Sequence, residues 1–400
     1  MASLTVRVYD VRFGDAVLVT ISELVGGHTV RRNILIDFGN ALVTQGVGGS
    51  DAVFEPVIDD ILGRLAGEPL DLFVMTHEHL DHVQGFLHAA EVLHKTIKVK
   101  QAWLTASAAR DYYTSHPQAR KQKIAALIAY RMTQARLGAA AARSPFVDVL
   151  LANNNTASTK KCIDYLRDKL TDPGNVHYVD RTTDLSALQP STTARLSLWA
   201  PEEDTADYYG RFEALAAGLR IGDDEIFDFD DLDGAAVTDV ELPEPPRGVD
   251  AGAFYNLLDV RHANSSSTLL SIDKASNNTS VVTLLEWNGW KLLFTGDAER
   301  RSWRTMDKHD LVQPVDFLKV SHHGSDTGMP PDEILDKLLP MPRPPGRPRK
   351  AAVSTYPNTY PGVPDDDTLD GVRERADLRS TRDLAPGKLF LEFRFPSTGP

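Results

Sequence analysis

Asp71-Leu72-Phe73-Val74-Met75-Thr76-His77-Glu78-His79-Leu80-Asp81-His82 is the stretch on which the reading of this chain turns. Its first half is a short apolar run of the kind that forms a buried strand. Its second half sets imidazoles and a carboxylate into one loop at the strand's end. A rigid strand running into a ligand-bearing loop is a sound way to hold a metal ion. Imidazole nitrogens with one carboxylate oxygen suit Zn²⁺ and its neighbours. A lone His-x-His means little, because scattered surface histidines are common. His-x-His-x-Asp-His directly after a strand asks for far more coincidence.

Two later segments repeat the pattern. Leu292-Leu293-Phe294-Thr295-Gly296-Asp297 is a strand that ends in Gly-Asp, and Phe317-Leu318-Lys319-Val320-Ser321-His322-His323-Gly324-Ser325 is a strand that ends in His-His-Gly-Ser. Core packing does not require a potential ligand at the end of each strand. His77 and His79 are two apart, so in an extended loop they face the same side and are expected to hold one metal. Asp81 and His82 are expected to hold a second.

In order along the chain these features resemble the metallo-β-lactamase superfamily, and within it the hydrolase domain of ComEC-type competence proteins. Val8-Tyr9-Asp10-Val11-Arg12-Phe13-Gly14-Asp15-Ala16 resembles the opening "DVGQGDA" strand and turn, and Ile34-Leu35-Ile36-Asp37-Phe38-Gly39 resembles "LIDxG". The His-x-His-x-Asp-His loop follows. Asn277-Asn278-Thr279-Ser280-Val281-Val282 resembles "NxNSxVL", and the Thr295-Gly296-Asp297 and Ser321-His322-His323-Gly324-Ser325 segments come in the same order. The likeness covers the first hundred residues and roughly the last hundred and thirty. The resemblance implies an α/β fold, the αββα four-layer sandwich, with a large helical and acidic insertion. The expected organisation is residues 1–100 as the first half of the core, 101–265 as the insertion, and 266–400 as the second half.

The resemblance also implies roles. Asp297 would bridge the two ions. His323 is preferred as the remaining ligand because the superfamily's ligand histidine commonly precedes a glycine, with His322 as the alternative or as a substrate-facing group. Asp37 would accept an N–H from a ligand imidazole. Asn277 and Asn278 would stand around the site, as in ComEC-type domains, where many members of the wider superfamily instead supply a third histidine to the first metal. With more oxygen around it, that position shifts from Zn²⁺ toward Mn²⁺. Asp81 and Asp297 are the carboxylates expected to carry catalysis. A second departure is Asn358-Thr359-Tyr360-Pro361-Gly362-Val363-Pro364, which lacks the histidine that the family has in this segment.

The 400 residues carry a net charge of −13, which argues against a general nucleic-acid coat. The charge is unevenly spread. From Lys95 to Arg143 the basic residues, Arg120, Lys121 and Lys123 among them, face the single acid Asp111, whereas 202–259 is strongly acidic. Tyr112, Tyr113 and Tyr130 lie in the basic block and offer faces for bases. No apolar run approaches the ~18 residues of a membrane span, and the N-terminus moves straight into a strand without a signal pattern. The only cysteine, Cys162, excludes an internal disulfide, fits a cytoplasmic setting, and reads as a small core residue in a helix.

Strands are expected at 4–22 and 32–38 around a Gly26-Gly27 turn, at 280–287 and 290–295 around the Asn288-Gly289 hairpin turn, and near 351–355, 378–381 and 388–395. Helices are expected at 82–94, 118–142, 159–170, 331–339 and 366–376, with an irregular acidic segment over 203–262. Together these features predict a hydrolase that uses two divalent ions, Zn²⁺ or Mn²⁺, to activate water. A phosphodiesterase acting on nucleic acid is the leading expectation. A hydrolase of a small ester, lactone, β-lactam or phosphorylated metabolite is the alternative, with the acidic segment capping a small pocket.

Overall fold

The structure, a computed structural model, describes residues 2–41, 51–138, 150–151, 153–154, 156–209, 272–343, 346, 348–356 and 362–397. The acidic segment expected at 203–262 falls almost wholly outside these residues, as do positions 358–361.

Two mixed sheets make up the core. The first has seven strands in the order β13-β1-β2-β3-β4-β5-β6. They are β1 (Ser3–Tyr9), β2 (Ala16–Val25), β3 (His28–Phe38), β4 (Leu72–Met75), β5 (Ala102–Thr105), β6 (Val176–Val179) and β13 (Phe390–Pro396). The second has six strands in the order β12-β11-β10-β9-β8-β7. They are β7 (Ala194–Ala200), β8 (Val282–Trp287), β9 (Trp290–Phe294), β10 (Phe317–Lys319), β11 (Lys350–Val353) and β12 (Asp377–Ser380). In each sheet an antiparallel part continues into a parallel one: β3 through β6 pair parallel, and so do β9 through β12.

Side-chain alternation assigns the layers. Along β4, Leu72 and Val74 join a cluster with Val6, Ile34, Leu285, Leu292 and Phe317, which fills the space between the sheets. Phe73 and Met75 point the other way, onto Phe54, Ile58, Phe86 and Leu166 of the helices Asp51–Leu65, Leu80–Glu91 and Thr156–Asp168. The outer face of the second sheet is covered likewise, with Trp303, Leu335, Leu338, Leu369 and Val372 packed on Leu284, Leu318 and Ala351. The order is therefore helices, sheet, sheet, helices, and parallel strands buried on both faces read as continuous apolar runs for this reason.

The expected break at residue 100 is corrected. β5, β6 and β7 lie within 101–265 and hydrogen-bond into the two sheets, so the core runs through that segment. Strands of four residues such as β5 and β6 carry too short a pattern to stand out. Three further differences are local. The expected strand 4–22 is two strands with a tight loop at 10–15, helix Asp51–Leu65 carries Pro56 inside it, and helix Arg300–Lys308 follows the Gly-Asp turn directly. The Gly26-Gly27 and Asn288-Gly289 turns lie where expected, with positive φ at Gly26, Gly27, Asn288 and Gly289. Among the described residues no helix is long and apolar enough to cross a membrane.

Candidate metal centre

Parallel pairing puts the ends of β3 and β4 at one edge of the first sheet, and the ends of β9, β10 and β11 at one edge of the second. The loops beyond these ends meet. Close backbone approach makes the meeting possible: a Cβ on Gly39 would lie 2.3 Å from Asp81 C and His82 N, and one on Gly296 (φ +51) would lie 2.8 Å from Thr76 Cβ. Only glycine fits either position.

Asp81, His82, Asp297 and His323 are buried, each offering one ligand atom within 4.8 Å of the others. His82 Nε2 lies 3.3 Å from Asp297 Oδ2 and 3.6 Å from Asp81 Oδ1. His323 Nε2 lies 3.3 Å from Asp81 Oδ2 and 3.5 Å from Asp297 Oδ2. Asp15, Asp37 and His82 satisfy the same spacing, but there Lys319 Nζ donates to Asp15 Oδ2 at 2.8 Å and supplies the positive charge. Ser354 Oγ donates to the other oxygen of Asp15.

Hydrogen bonds set which nitrogen of each imidazole carries its proton. His82 Nδ1 donates to Asp37 Oδ2 at 2.8 Å, and His323 Nδ1 donates to the Ser354 carbonyl at 3.0 Å. The single hydroxyl proton of Thr76 goes to Asp37 Oδ2 at 2.7 Å, so Thr76 Oγ1 accepts from His77 Nδ1 at 3.1 Å. His77, His82 and His323, when neutral, therefore all turn a bare Nε2 lone pair inward. His77 Nε2 meets His79 Nδ1 at 3.0 Å. His77 Nε2 accepts there, so His79 Nδ1 carries the proton and the His79 lone pair lies on Nε2.

The electrostatics ask for positive charge. Burial first, then the neighbouring His82 and His79, hold His77 well below the usual imidazole range, so it is neutral. Burial pushes His82 down, yet the carboxylates of Asp297, Asp81 and Asp37 carry it well above its ordinary value. Burial works against Asp297 too, and His82 and His323 pull it well below the carboxylate range. Among the described residues, Asp37, Asp81, Asp273, Asp297 and Glu299 form ion pairs only with imidazoles. Buried carboxylates without lysine or arginine are costly unless a cation joins them. Inward-facing atoms of the site also lack hydrogen-bond partners: His79 Nε2, Asp81 Oδ1, His82 Nε2, Asn277 Oδ1 and Asp297 Oδ1. This donor set fits a transition-metal ion.

The remaining expected residues fall as follows. His322 stands apart from the Asp81–His323 cluster and faces Glu299 (3.3 Å), Ser325 (2.9 Å) and Asn277 (3.4 Å). Asn277 Nδ2 reaches Glu299 and Asp273. Asn278 turns away: its Oδ1 accepts from Ser302 N at 3.0 Å, serving the first turn of helix Arg300–Lys308. Lys123, on helix Pro117–Gly138, lies with its Nζ 3.8 Å from Glu78 Oε2 in the metal loop. Arg120 lies one turn of helix earlier, half-buried, and Lys121 is exposed. Tyr112 is buried with its hydroxyl on Glu203 O and Thr205 Oγ1, and Tyr130 is buried with its hydroxyl on Leu151 O, so neither offers a free face to a base.

Residues absent from the expected site are Thr76, Asp273 and Glu299. Asp273 Oδ1 lies 3.9 Å from His79 Nε2, and Asp273 precedes Asn277 by one turn of the helical segment 272–277. Glu299, two residues beyond Asp297, was the more visible signal, an acid in a Gly-Asp-Ala-Glu run. No protein-family model matches this chain, and no curated protein matches it.

Proposed function

We propose that this chain is a metal-dependent hydrolase of the metallo-β-lactamase type, holding two divalent ions and acting on phosphodiesters, with nucleic acid as the leading substrate. The observation that carries the reading is the shared orientation of His77, His82 and His323, whose far nitrogens are each held by a hydrogen-bond acceptor, beside unpartnered carboxylate oxygens. Metal-ligating histidines are held in this manner, and hydrogen-bonded core histidines have no need of inward lone pairs facing one another.

Bound divalent ions would acidify a water near neutral pH and offset negative charge on the oxygens of an attacked phosphate. The chain's own contributions follow from its contacts. Asp297 turns Oδ2 to His82 and His323 and leaves Oδ1 unpartnered, which suits a carboxylate shared between two positions. Asp37 and Thr76 keep protons on the outer nitrogens. Lys123 brings a cation beside the metal loop, where a phosphate could meet it.

The small-substrate reading stays as the second one, because the buried Tyr112 and Tyr130 remove stacking surfaces that would favour nucleic acid. The test is hydrolysis by Zn²⁺- or Mn²⁺-loaded protein of bis(4-nitrophenyl) phosphate, single- and double-stranded DNA, and RNA. Activity that disappears in His79→Ala and Asp81→Ala, with circular dichroism unchanged, supports the reading. Cleavage of the chromogenic diester alone favours the small substrate. A loaded protein inert on all four, or retained activity in either variant, sinks the phosphodiesterase proposal.

A further inference from the structure

The first metal position, with His77 and His79, lacks the third histidine that many members of the wider superfamily supply; this chain has Asn277-Asn278-Thr279-Ser280 there, the pattern that the resemblance to ComEC-type domains implies. We propose that His322 supplies that imidazole, so that the adjacent histidines His322 and His323 serve different ions. The inference rests on the metal-dependent reading above and names which residue completes its weaker half.

His322 follows the pattern of the other inward histidines. Its Nδ1 lies 2.9 Å from Ser325 Oγ and 3.3 Å from Glu299 Oε1. With the proton held there, Nε2 carries the lone pair. Glu299 is buried, so this is a carboxylate holding the far side of an imidazole, an arrangement typical of metal-ligating histidines.

That lone pair lies on the side of the first position. His322 Nε2 lies 3.9 Å from Asp273 Oδ2, and the other oxygen of the same carboxylate lies 3.9 Å from His79 Nε2. One buried carboxylate thus stands between the two imidazoles. Asn277 Nδ2 lies 3.4 Å from His322 Nε2. The asparagine that stands where the wider superfamily has a histidine therefore abuts His322. His79 Nε2 and Asn277 Oδ1 are unpartnered there, and their residues are 3% and 1% exposed.

Within 4 Å the two neighbours share no carboxylate among the described residues. His323 pairs with Asp81 and Asp297, and His322 with Asp273 and Glu299. Both have left-handed backbones, with φ 45 for His322 and φ 52 for His323. Consecutive non-glycine residues rarely adopt that conformation, and such strain collects where side chains must be aimed. Here it aims two adjacent imidazoles at two different groups.

The test uses Co²⁺ as a spectroscopic probe and Zn²⁺ for stoichiometry, on the full chain and on His322→Ala, His323→Ala and Glu299→Gln, each checked for folding by circular dichroism. Wild type is expected to bind two equivalents. His322→Ala and His323→Ala should each keep one, with different Co²⁺ absorption spectra, because each loses a different ion. Glu299→Gln should keep both with the second equivalent weakened about 10–100-fold. Should His322→Ala fail to fold, His322→Gln takes its place, and Glu299→Gln reads the same position without touching the imidazole. Two equivalents of undiminished affinity in His322→Ala, or identical residual spectra in the two histidine variants, overturn the assignment. A wild-type chain that takes up no ion sinks the metal reading itself, which is a separate failure.

Discussion

Asp37 Oδ2 receives the Nδ1 proton of His82 at 2.8 Å, and the same oxygen receives the Thr76 hydroxyl at 2.7 Å. One carboxylate thereby sets the tautomer of His82 directly and that of His77 through Thr76. Its backbone is left-handed (φ 55), a conformation that asparagine also accepts. Asp37→Asn should therefore fold, while its amide can offer His82 Nδ1 a donor in place of an acceptor. The imidazole proton then moves to Nε2, where the lone pair is needed. Metal affinity should fall about 10–100-fold, read by competition with a chelator. Wild-type affinity in this variant would remove Asp37 from the site.

Gly39 makes a sharper structural test. A methyl there meets backbone atoms of Asp81 and His82 at 2.3 Å, and backbone cannot turn aside as a flexible side chain can. Gly39→Ala should cost at least the ~1–3 kcal/mol of ordinary overpacking and displace the metal loop, lowering both melting temperature and metal content. Gly63, exposed within helix Asp51–Leu65 with nothing within 4 Å of an added Cβ, is the control. Gly63→Ala should stabilise by about 0.5–1 kcal/mol and leave metal binding alone. Equal melting curves for the two alanine variants would contradict the close approach.

The contrast between these glycines shows how much of the centre is legible in the sequence. Gly39, Asp37 and the His-x-His-x-Asp-His loop sit at strand ends, where local pattern and turn chemistry speak directly. Asp273 is different. It lies 194 positions after His79, and its relevance depends on a helical segment at 272–277 and on the docking of two sheets. Long-range contacts of this kind leave no local period. β5 and β6 were hidden for a related reason: they span only four residues each, and β5 is buried on both faces, which erases the alternation that marks a half-exposed strand. The tyrosines of the basic block illustrate the reverse, a suggestive composition that packing absorbs.

Asp297 sets Oδ2 on His82 and His323 and leaves Oδ1 unpartnered, and in the proposed centre it bridges both positions. Asp297→Ala removes a donor from both positions at once. Metal content by mass spectrometry should drop from two equivalents toward one or none, further than for any single histidine variant. Unchanged stoichiometry would remove Asp297 from the bridge.

Cys162 lies in the helix Thr156–Asp168, buried against the first sheet. Burial, and then the nearby Glu91 charge, push its thiol up to about 12. Since the thiolate is the reactive form, the native protein should resist a thiol reagent such as Ellman's at pH 8 and react only after denaturation. Rapid labelling of the folded chain would mean that this helix opens readily. Hydrolysis should be indifferent to Cys162→Ser, as no step of the proposed chemistry uses a thiol.

Lys123 of helix Pro117–Gly138 reaches the His-x-His-x-Asp-His loop, with Nζ 3.8 Å from Glu78 Oε2. If nucleic acid is the substrate, its phosphates would meet this cation together with Arg120 and Lys121, and binding would weaken as salt rises. Each phosphate contact contributes about 0.9 to the salt slope on duplex DNA and about 0.7 on single strands. Changing Arg120, Lys121 and Lys123 together to Gln removes the charges without placing a new acid beside Glu78, whose neighbours are His77 and His79. The triple variant should bind nucleic acid more weakly, with a slope shallower by up to about 2–3, while turnover of a small chromogenic diester falls less than cleavage of nucleic acid. Equal loss on both substrates would mean that the helix supports the fold around the metal loop. An unchanged slope would take nucleic acid away from this face and leave the small substrate as the better reading.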